Sequence, residues 1–297
     1  MTNKELVRRV KLLSSIFTNS TKQLTATLLG FETFTIVEKE RILRELDTYL
    51  KTLTDKSNSW YETNLKSAYK DGAHDVMDYL KNLGVQNIIY TKDDYDIMSQ
   101  LIDSSQRFTQ EAISGVKRSS SKVLDEFTIK RLQQMISDDV KDSVSLRQLK
   151  GELLEYLQKK GVTIKDSTGR RWQLDKYAEM MARTDMMNSY NQGVANQILH
   201  RKGDLAYITS YAGCKCDVCL KWEGQVVSIS GTDPKYPKLD DAYADGVFHP
   251  NCKHRLRPYL EEFTEKKEKN DLFGDIYETQ MKGLESEGYN RKYMESI

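Results

Sequence analysis

Two stretches of sequence, Gly-Cys-Lys-Cys-Asp-Val-Cys at 213–219 and His-Pro-Asn-Cys-Lys-His at 249–254, contain all four cysteines of this chain and two of its four histidines. A secreted scaffold held by disulfides spreads more cysteines along its chain, and a reducing cytosol disfavours disulfide bonds. Cysteines that cluster in one part of a cytosolic protein indicate metal binding or thiol chemistry.

The metal interpretation follows from the spacing of two ligand pairs. Cys216 and Cys219 are separated by two residues, and so are His249 and Cys252. Two ligands at this spacing converge from one tight turn, and a second such pair completes a tetrahedron. Thiolate and imidazole are donors that suit zinc. The sequence therefore predicts one zinc ion held by these four side chains.

Several alternatives to this ligand set stay open. Cys214 and His254 flank the two pairs and are alternate ligands, so an exchange of ligands within the cluster is open. The cysteines are otherwise interpreted as buried structural residues beside a solvated histidine, or as partners in a disulfide involving Cys214 that forms after release from the cell. Four soft ligands close a zinc site, and no His-Glu-x-x-His or His-x-Glu pattern accompanies the pairs. We therefore expect the zinc to be structural.

Short strands are predicted around the cluster. Three β-candidates, Ala206–Tyr211, Gln225–Ile229 and Arg255–Leu260, alternate with the ligand segments, and a hairpin is predicted at Trp222–Val227. Upstream, the β-branched run at 162–164 and a second run at 171–174 are separated by the turn Asp-Ser-Thr-Gly at 166–169. A helix from about Asp175 to His200 should connect the two β regions.

The first 160 residues have a helical pattern. All four prolines of the chain lie between positions 234 and 258, so none interrupts this part. Thr2 with Glu5, and Thr35 with Glu38, form capping-box signatures in front of apolar stripes. Further stripes begin at Trp60 and near Asp93 or Asp94. The pattern predicts a bundle of long amphipathic helices.

The predicted fold class is accordingly α+β. A long helical region at 1–160 is followed by a small mixed α/β domain at 161–262 that a zinc knuckle clips together. A charged tail at 263–297 completes the chain.

Composition excludes some classes of function. Lys and Arg number 45 against 44 Asp and Glu, so the chain lacks the strong net positive charge of a dedicated nucleic-acid binder. Local basicity leaves Arg255 and Arg257 as candidate DNA contacts. No apolar run reaches the ~20 residues that span a bilayer, and the N-terminus does not match a signal peptide. Synthesis in a cytoplasm and no membrane span are expected.

The Cys/His stretches also carry a family resemblance. The segment 213–219, the step Trp-Glu-Gly-Gln at 222–225 and the segment 249–254 resemble the core of phage minor head proteins of the Mu F-like family. The resemblance is specific over about 165–260 and generic before that. Matching positions outside the cluster are these: Trp60, Tyr69, Gly72, Tyr177, Ala178, Glu179, Arg183, Thr184, Asn188 and Gly193. Many relatives carry Arg-Cys where this chain has Lys253-His254.

This resemblance implies a structural role in a virion. Such proteins are low-copy components of the head, associated with the portal on the inside of the particle, and some are thought to contact packaged or ejected DNA. The implied partners are the portal protein and other head proteins, with packaged DNA as a further candidate. The implied function is that of a minor capsid protein in head morphogenesis, without enzymatic activity.

Two other classes of function remain alternatives. As an enzyme, the chain is a zinc-dependent nuclease or hydrolase, or an ADP-ribosyltransferase in which Arg183-Thr184-Asp185 supplies the Arg and Ser-Thr elements. The required catalytic glutamate of a transferase is not identifiable, and Arg183 is better explained as a helix residue that pairs with a carboxylate or carbonyl. As a binding module, the chain contacts DNA through Arg255 and Arg257.

Overall fold

The structure, a computed structural model, describes residues 1–28, 30, 35–81, 87–137, 146–161, 163–166, 169–211 and 213–260. The predicted charged tail at 263–297 lies outside these residues. Within them the chain is mainly helical with two small antiparallel sheets, which confirms the helical and β-containing parts of the predicted α+β class. None of the described helices combines the length and apolarity needed to cross a membrane.

Among the residues that the structure describes, seven helices and five strands follow one another. They are α1 (Asn3–Leu28), α2 (Ile36–Leu80), α3 (Lys92–Ser137), α4 (Leu146–Tyr156, continued by a π-helical turn at Leu157–Gly161), β1 (Thr163–Lys165), β2 (Arg171–Gln173), α5 (Leu174–His200), β3 (Leu205–Ile208), α6 (Asp217–Trp222), β4 (Val226–Ser228), α7 (Leu239–Asp245) and β5 (Leu256–Pro258). Each predicted strand outside the hairpin corresponds to one of these. α6 and α7 were not predicted.

The first two helices begin where the capping signatures predict. The backbone N–H of Glu5 donates to Thr2 Oγ1, and that of Glu38 donates to Thr35 Oγ1, each at 3.2 Å. These bonds satisfy amide groups that have no partner inside a helix. The stripes that start after Thr35 and at Trp60 form one helix, α2, of 45 residues, because no glycine or proline separates them.

The chain divides into two compact units, each made of discontinuous segments. One comprises Met1–Ser67 with Tyr95–Met186, and the other comprises Ala68–Asp94 with the chain from Met187 onward. Helices α2, α3 and α5 contribute to both. This division does not follow the predicted boundary near residue 160, which stays a prediction about independently folding domains.

The core of the first unit is built from aliphatic and aromatic faces of α1, α2 and α3. Leu13, Ile42 and Leu124 are fully buried there. Two polar side chains are satisfied inside this core: Trp60 Nε1 donates to the carbonyl of Arg9 at 3.1 Å, and Tyr61 Oη lies 2.9 Å from Thr109 Oγ1. The β1–β2 hairpin also belongs to this unit, with Ile164 opposite Trp172.

A carboxyl group is buried in the same unit. Burial raises the pKa of Asp185 to about 7, although a hydrogen bond with Ser105 lowers it. The side chain as a whole is partly exposed, but its Oδ2 atom is inaccessible and lacks a hydrogen-bond partner among the described residues. Because an unsatisfied buried charge is costly, the neutral form is favoured there.

Asp185→Asn is therefore expected to stabilise the protein above pH 7. The folded carboxyl binds its proton more tightly than the unfolded one, whose pKa is near the ordinary value of 3.8. Protonated Asp185 therefore stabilises the folded state. This stabilisation is complete below pH 3.8 and is lost as the pH rises through about 7. The amide mimics the neutral acid, so the variant should gain about 2–4 kcal/mol at pH 8 and roughly 1–2 kcal/mol near pH 5, where the unfolded carboxyl is already mostly ionised.

Urea unfolding of both proteins at pH 5 and pH 8 measures this difference. Asp103→Asn, at an exposed position of α3, is the matched control and should change stability by less than about 0.5 kcal/mol at either pH. A variant less stable than the natural protein at pH 8 contradicts the assignment of a destabilising buried carboxylate.

In the second unit, α2 and α5 cross at two glycines. A Cβ atom on Gly72 would lie 2.1 Å from the carbonyl oxygen of Tyr190, and one on Gly193 would lie 2.1 Å from that of Tyr69. The two backbones are therefore in direct contact, and only residues without a Cβ fit at the crossing.

A buried hydrogen-bond network around Asp94 holds the start of α3 in this unit. Asp94 Oδ1 accepts from Tyr69 Oη at 2.5 Å and from Asn196 Nδ2 at 3.3 Å, while Oδ2 lies 2.7 Å from both Thr91 N and His200 Nε2. Burial alone would raise the pKa of Asp94, but these hydrogen bonds hold it below its ordinary value. The carboxylate is thus fully paired, unlike that of Asp185.

Candidate metal centre

A three-stranded sheet brings the two Cys/His stretches together. Its order is β4-β3-β5 with both pairings antiparallel. α6 follows β3 in the chain, and the 249–254 segment precedes β5, so both stretches lie at the same end of the β3–β5 pair. The pairing is extended toward the cluster because Thr209 N donates to the carbonyl of Arg255, and Arg255 N donates to Thr209 Oγ1, each at 2.9 Å.

The first ligand pair lies at the start of α6. Cys216 is the residue that precedes the helix, and Cys219 lies in its first turn and is buried. The spacing of two residues therefore places both sulfurs beside one helix end rather than in a free loop. The second pair follows the turn after α7, where Phe248 and Asn251 adopt positive φ angles.

The ligand atoms form two overlapping triads. The donor atoms of Cys216, Cys219 and His249 all lie within 4.8 Å of one another, and so do those of Cys214, Cys219 and His254. Cys219 belongs to both. The four predicted ligands and both alternates thus come together in one cluster, while the choice of ligands among them stays a prediction.

Cys252 joins the cluster through two short distances. Its Sγ lies 3.9 Å from Cys219 Sγ and 3.1 Å from His254 Nδ1. Two thiolates on one tetrahedral zinc ion, with Zn–S bonds of about 2.3 Å, are separated by roughly 3.8 Å. A disulfide requires about 2.05 Å, and all four cysteines are free thiols. The cluster could therefore hold a metal ion with the ligand spacing of zinc, and the separation of Cys219 Sγ and Cys252 Sγ is too long for a disulfide between these two residues.

Glu223 orients one histidine of the cluster. His254 Nε2 lies 2.6 Å from Glu223 Oε1, and the same oxygen accepts from Tyr211 N at 3.0 Å. A carboxylate on one ring nitrogen is the usual arrangement behind a metal-bound histidine, because it leaves the other nitrogen facing the ion. Glu223 lies in the Trp-Glu-Gly-Gln step at 222–225, but its sequence context predicts no role at the site.

The thiols differ in their proton affinity. Burial raises the pKa of Cys252, but hydrogen bonds from His254 outweigh it and bring this pKa to about 7. The backbone N–H of Cys219 is the main cause that lowers the pKa of Cys216. Burial raises the pKa of Cys214. Burial also raises the pKa of Cys219, so Cys216 and Cys252 are the two thiols whose pKa the surrounding groups lower.

The predicted hairpin at Trp222–Val227 is wrong. Trp222 belongs to α6, a turn with Gly224 at φ 72° follows, and β4 pairs with β3 instead of folding back on the preceding residues. The physical reason is that Trp222 is buried and its Nε1 donates to Asp245 Oδ2 at 3.0 Å, a partner that local sequence does not reveal.

The two candidate DNA-contacting arginines are engaged within the second unit. Arg257 Nη1 donates to Asp75 Oδ2 at 3.2 Å, and the Arg255 guanidinium lies 5.2 Å from the centre of the Tyr190 ring. Their contact with DNA stays a prediction. In the first unit, Arg183 Nη2 lies 3.3 Å from Glu179 Oε1 on the same helix, which is the pairing predicted for it.

Comparison with known proteins identifies the class of protein. The model of a family described as phage minor capsid protein 2 matches residues 42–293, which is most of the chain. The chain belongs to the phage minor capsid protein 2 family. This finding confirms the recognition of a phage minor head protein from the Cys/His motifs.

One relative adds to this finding. A structural protein of Lactococcus phage LL-H is 28% identical over 116 residues, which cover 36% of this chain and 31% of the relative. The chain therefore matches about a third of that relative's length. No solved structure matches the chain.

Proposed function

We propose that this protein is a minor structural component of the phage head that docks at the portal on the inner side of the particle, with a zinc ion clipping its Cys/His module. Membership of the minor capsid protein family carries the head location and the structural role. The portal as docking partner comes from the family resemblance. Helices of 45 and 46 residues supply extended surfaces for such docking.

The donor set supports a structural role for the zinc. Cys216, Cys219, His249 and Cys252 supply four protein ligands, and four such ligands leave no position for substrate or water. Cys219 and Cys252 are buried. When bound, the ion would neutralise the thiolates and crosslink α6 to the segment before β5, which a sheet with strands of three or four residues does not hold strongly by itself.

Direct DNA binding is less well supported. A DNA-binding surface needs guanidinium groups free to reach phosphates, whereas Arg257 is paired with Asp75. Arg255 packs on Tyr190.

Assembly of procapsids with and without the portal protein tests the docking proposal. The full chain should be incorporated into portal-containing particles. The amount of it per particle should be at least tenfold lower in portal-free shells. Cys219→Ser should reduce incorporation, whereas Leu220→Ser, at the neighbouring exposed position, should not. Equal incorporation with and without the portal contradicts portal docking, and zinc-dependent cleavage of DNA by the purified protein contradicts the structural role.

A further inference from the structure

The cluster contains more donors than one zinc ion can use. Six Cys and His side chains converge in it, whereas a structural zinc ion takes four ligands. The two triads defined above share Cys219, and each adds one cysteine and one histidine of its own, while Cys252 belongs to neither triad. A single ion on Cys216, Cys219, His249 and Cys252 leaves Cys214 and His254 unused.

The unused pair has the features of a ligand pair. His254 is 2% exposed, and Glu223 engages its Nε2 atom, so Nδ1 faces the sulfurs. His249 is oriented in a corresponding way, since its Nδ1 lies 2.9 Å from the carbonyl of Pro250 and Nε2 remains for a metal. Both histidines thus have one nitrogen held by an oxygen, as metal-bound histidines do.

We infer that the cluster holds two zinc ions, one on the Cys216, Cys219 and His249 side and one on the Cys214, Cys219 and His254 side, bridged by the Cys219 thiolate. Cys252, whose Sγ lies 3.9 Å from Cys219 Sγ and 3.1 Å from His254 Nδ1, is the second bridging thiolate, so that the six donors fill the four positions of each ion. This inference rests on the proposed zinc clip and extends it from one ion to two.

Titration of the metal-free full chain with zinc, followed by native mass spectrometry, tests the inference. Two zinc ions per chain are expected in the natural protein. Cys214→Ser and His254→Ala should each reduce the count to one, because they remove donors of the second triad only. Elemental analysis of the protein as purified provides an independent count.

The outcomes separate this inference from the proposed clip. One zinc per chain in the natural protein, unchanged in Cys214→Ser, overturns the second ion and leaves the single clip in place. No zinc overturns both. Cobalt substitution provides a second measurement on the folded natural protein: two Co²⁺ ions that share a thiolate couple magnetically, so the paramagnetic resonance signal per cobalt should fall when the second equivalent is added. An undiminished signal per cobalt contradicts the bridge.

Discussion

Removal of metal is expected to unfold the Cys/His module, which consists of the β4-β3-β5 sheet and the ligand segments beside it, while leaving the first unit folded. Binding of structural zinc contributes about 10–16 kcal/mol to folding in small zinc modules, which matches or exceeds the 5–15 kcal/mol total stability of a typical domain. The module has few other sources of stability, because its strands are three or four residues long. Hydrogen exchange of backbone amides should show the unfolding of this module directly.

Two amides report on this module. Ile208 N donates to the carbonyl of Gln225, and Thr209 N donates to that of Arg255. Both should lose protection by at least a hundredfold after treatment with a strong zinc chelator, and amides inside α1 should keep theirs. Cys219→Ser should reproduce the loss without chelator, and Leu220→Ser should not. Retained protection of both amides in metal-free protein contradicts the zinc clip.

Gly193→Ala is expected to destabilise the second unit by about 3 kcal/mol or more. Alanine favours a helix by up to about 1 kcal/mol relative to glycine. At this position, however, its Cβ would lie 2.1 Å from the carbonyl oxygen of Tyr69. The obstacle is backbone in a helix, so α2 and α5 must separate and lose the packing around the crossing. Gly72→Ala should have a similar effect because its obstacle is the Tyr190 carbonyl.

Gly151→Ala provides the matched control. It also lies inside a helix, α4, but nothing is within 4 Å of its added Cβ, so this variant should be stabilised by about 0.5–1 kcal/mol. Chemical unfolding monitored by circular dichroism measures all three variants. A stabilised or unchanged Gly193→Ala variant shows that the helices do not pack at this distance.

Features encoded within a few residues could be predicted from sequence. Thr2 and Thr35 cap helices because a hydroxyl reaches an amide three residues later, whatever the rest of the chain does. The ligand pairs could be recognised because their spacing is itself the geometric requirement. The strands around them follow from short β-branched and aromatic runs.

Features that depend on distant partners could not be predicted. α6 was not predicted, because its six residues give no helical period, and its last residue, Trp222, was assigned to a hairpin. The side chain of Trp222 is buried and bonded to Asp245, 23 residues further along the chain. The role of Glu223 depends on its meeting His254, 31 residues away. The network at Asp94 depends on Tyr69 and His200, which lie on two different helices.

The sequence alone thus predicted the class of protein, through its resemblance to a known family. Local spacing predicted the helices of the described part of residues 1–160 and the six candidate metal donors. The tertiary structure alone decided that the donors form two triads around Cys219, that Glu223 orients His254, and that Gly72 and Gly193 occupy a helix crossing. The physical reason is that these relations join residues far apart in the chain, so they exist only after the helices and the β4-β3-β5 sheet have packed.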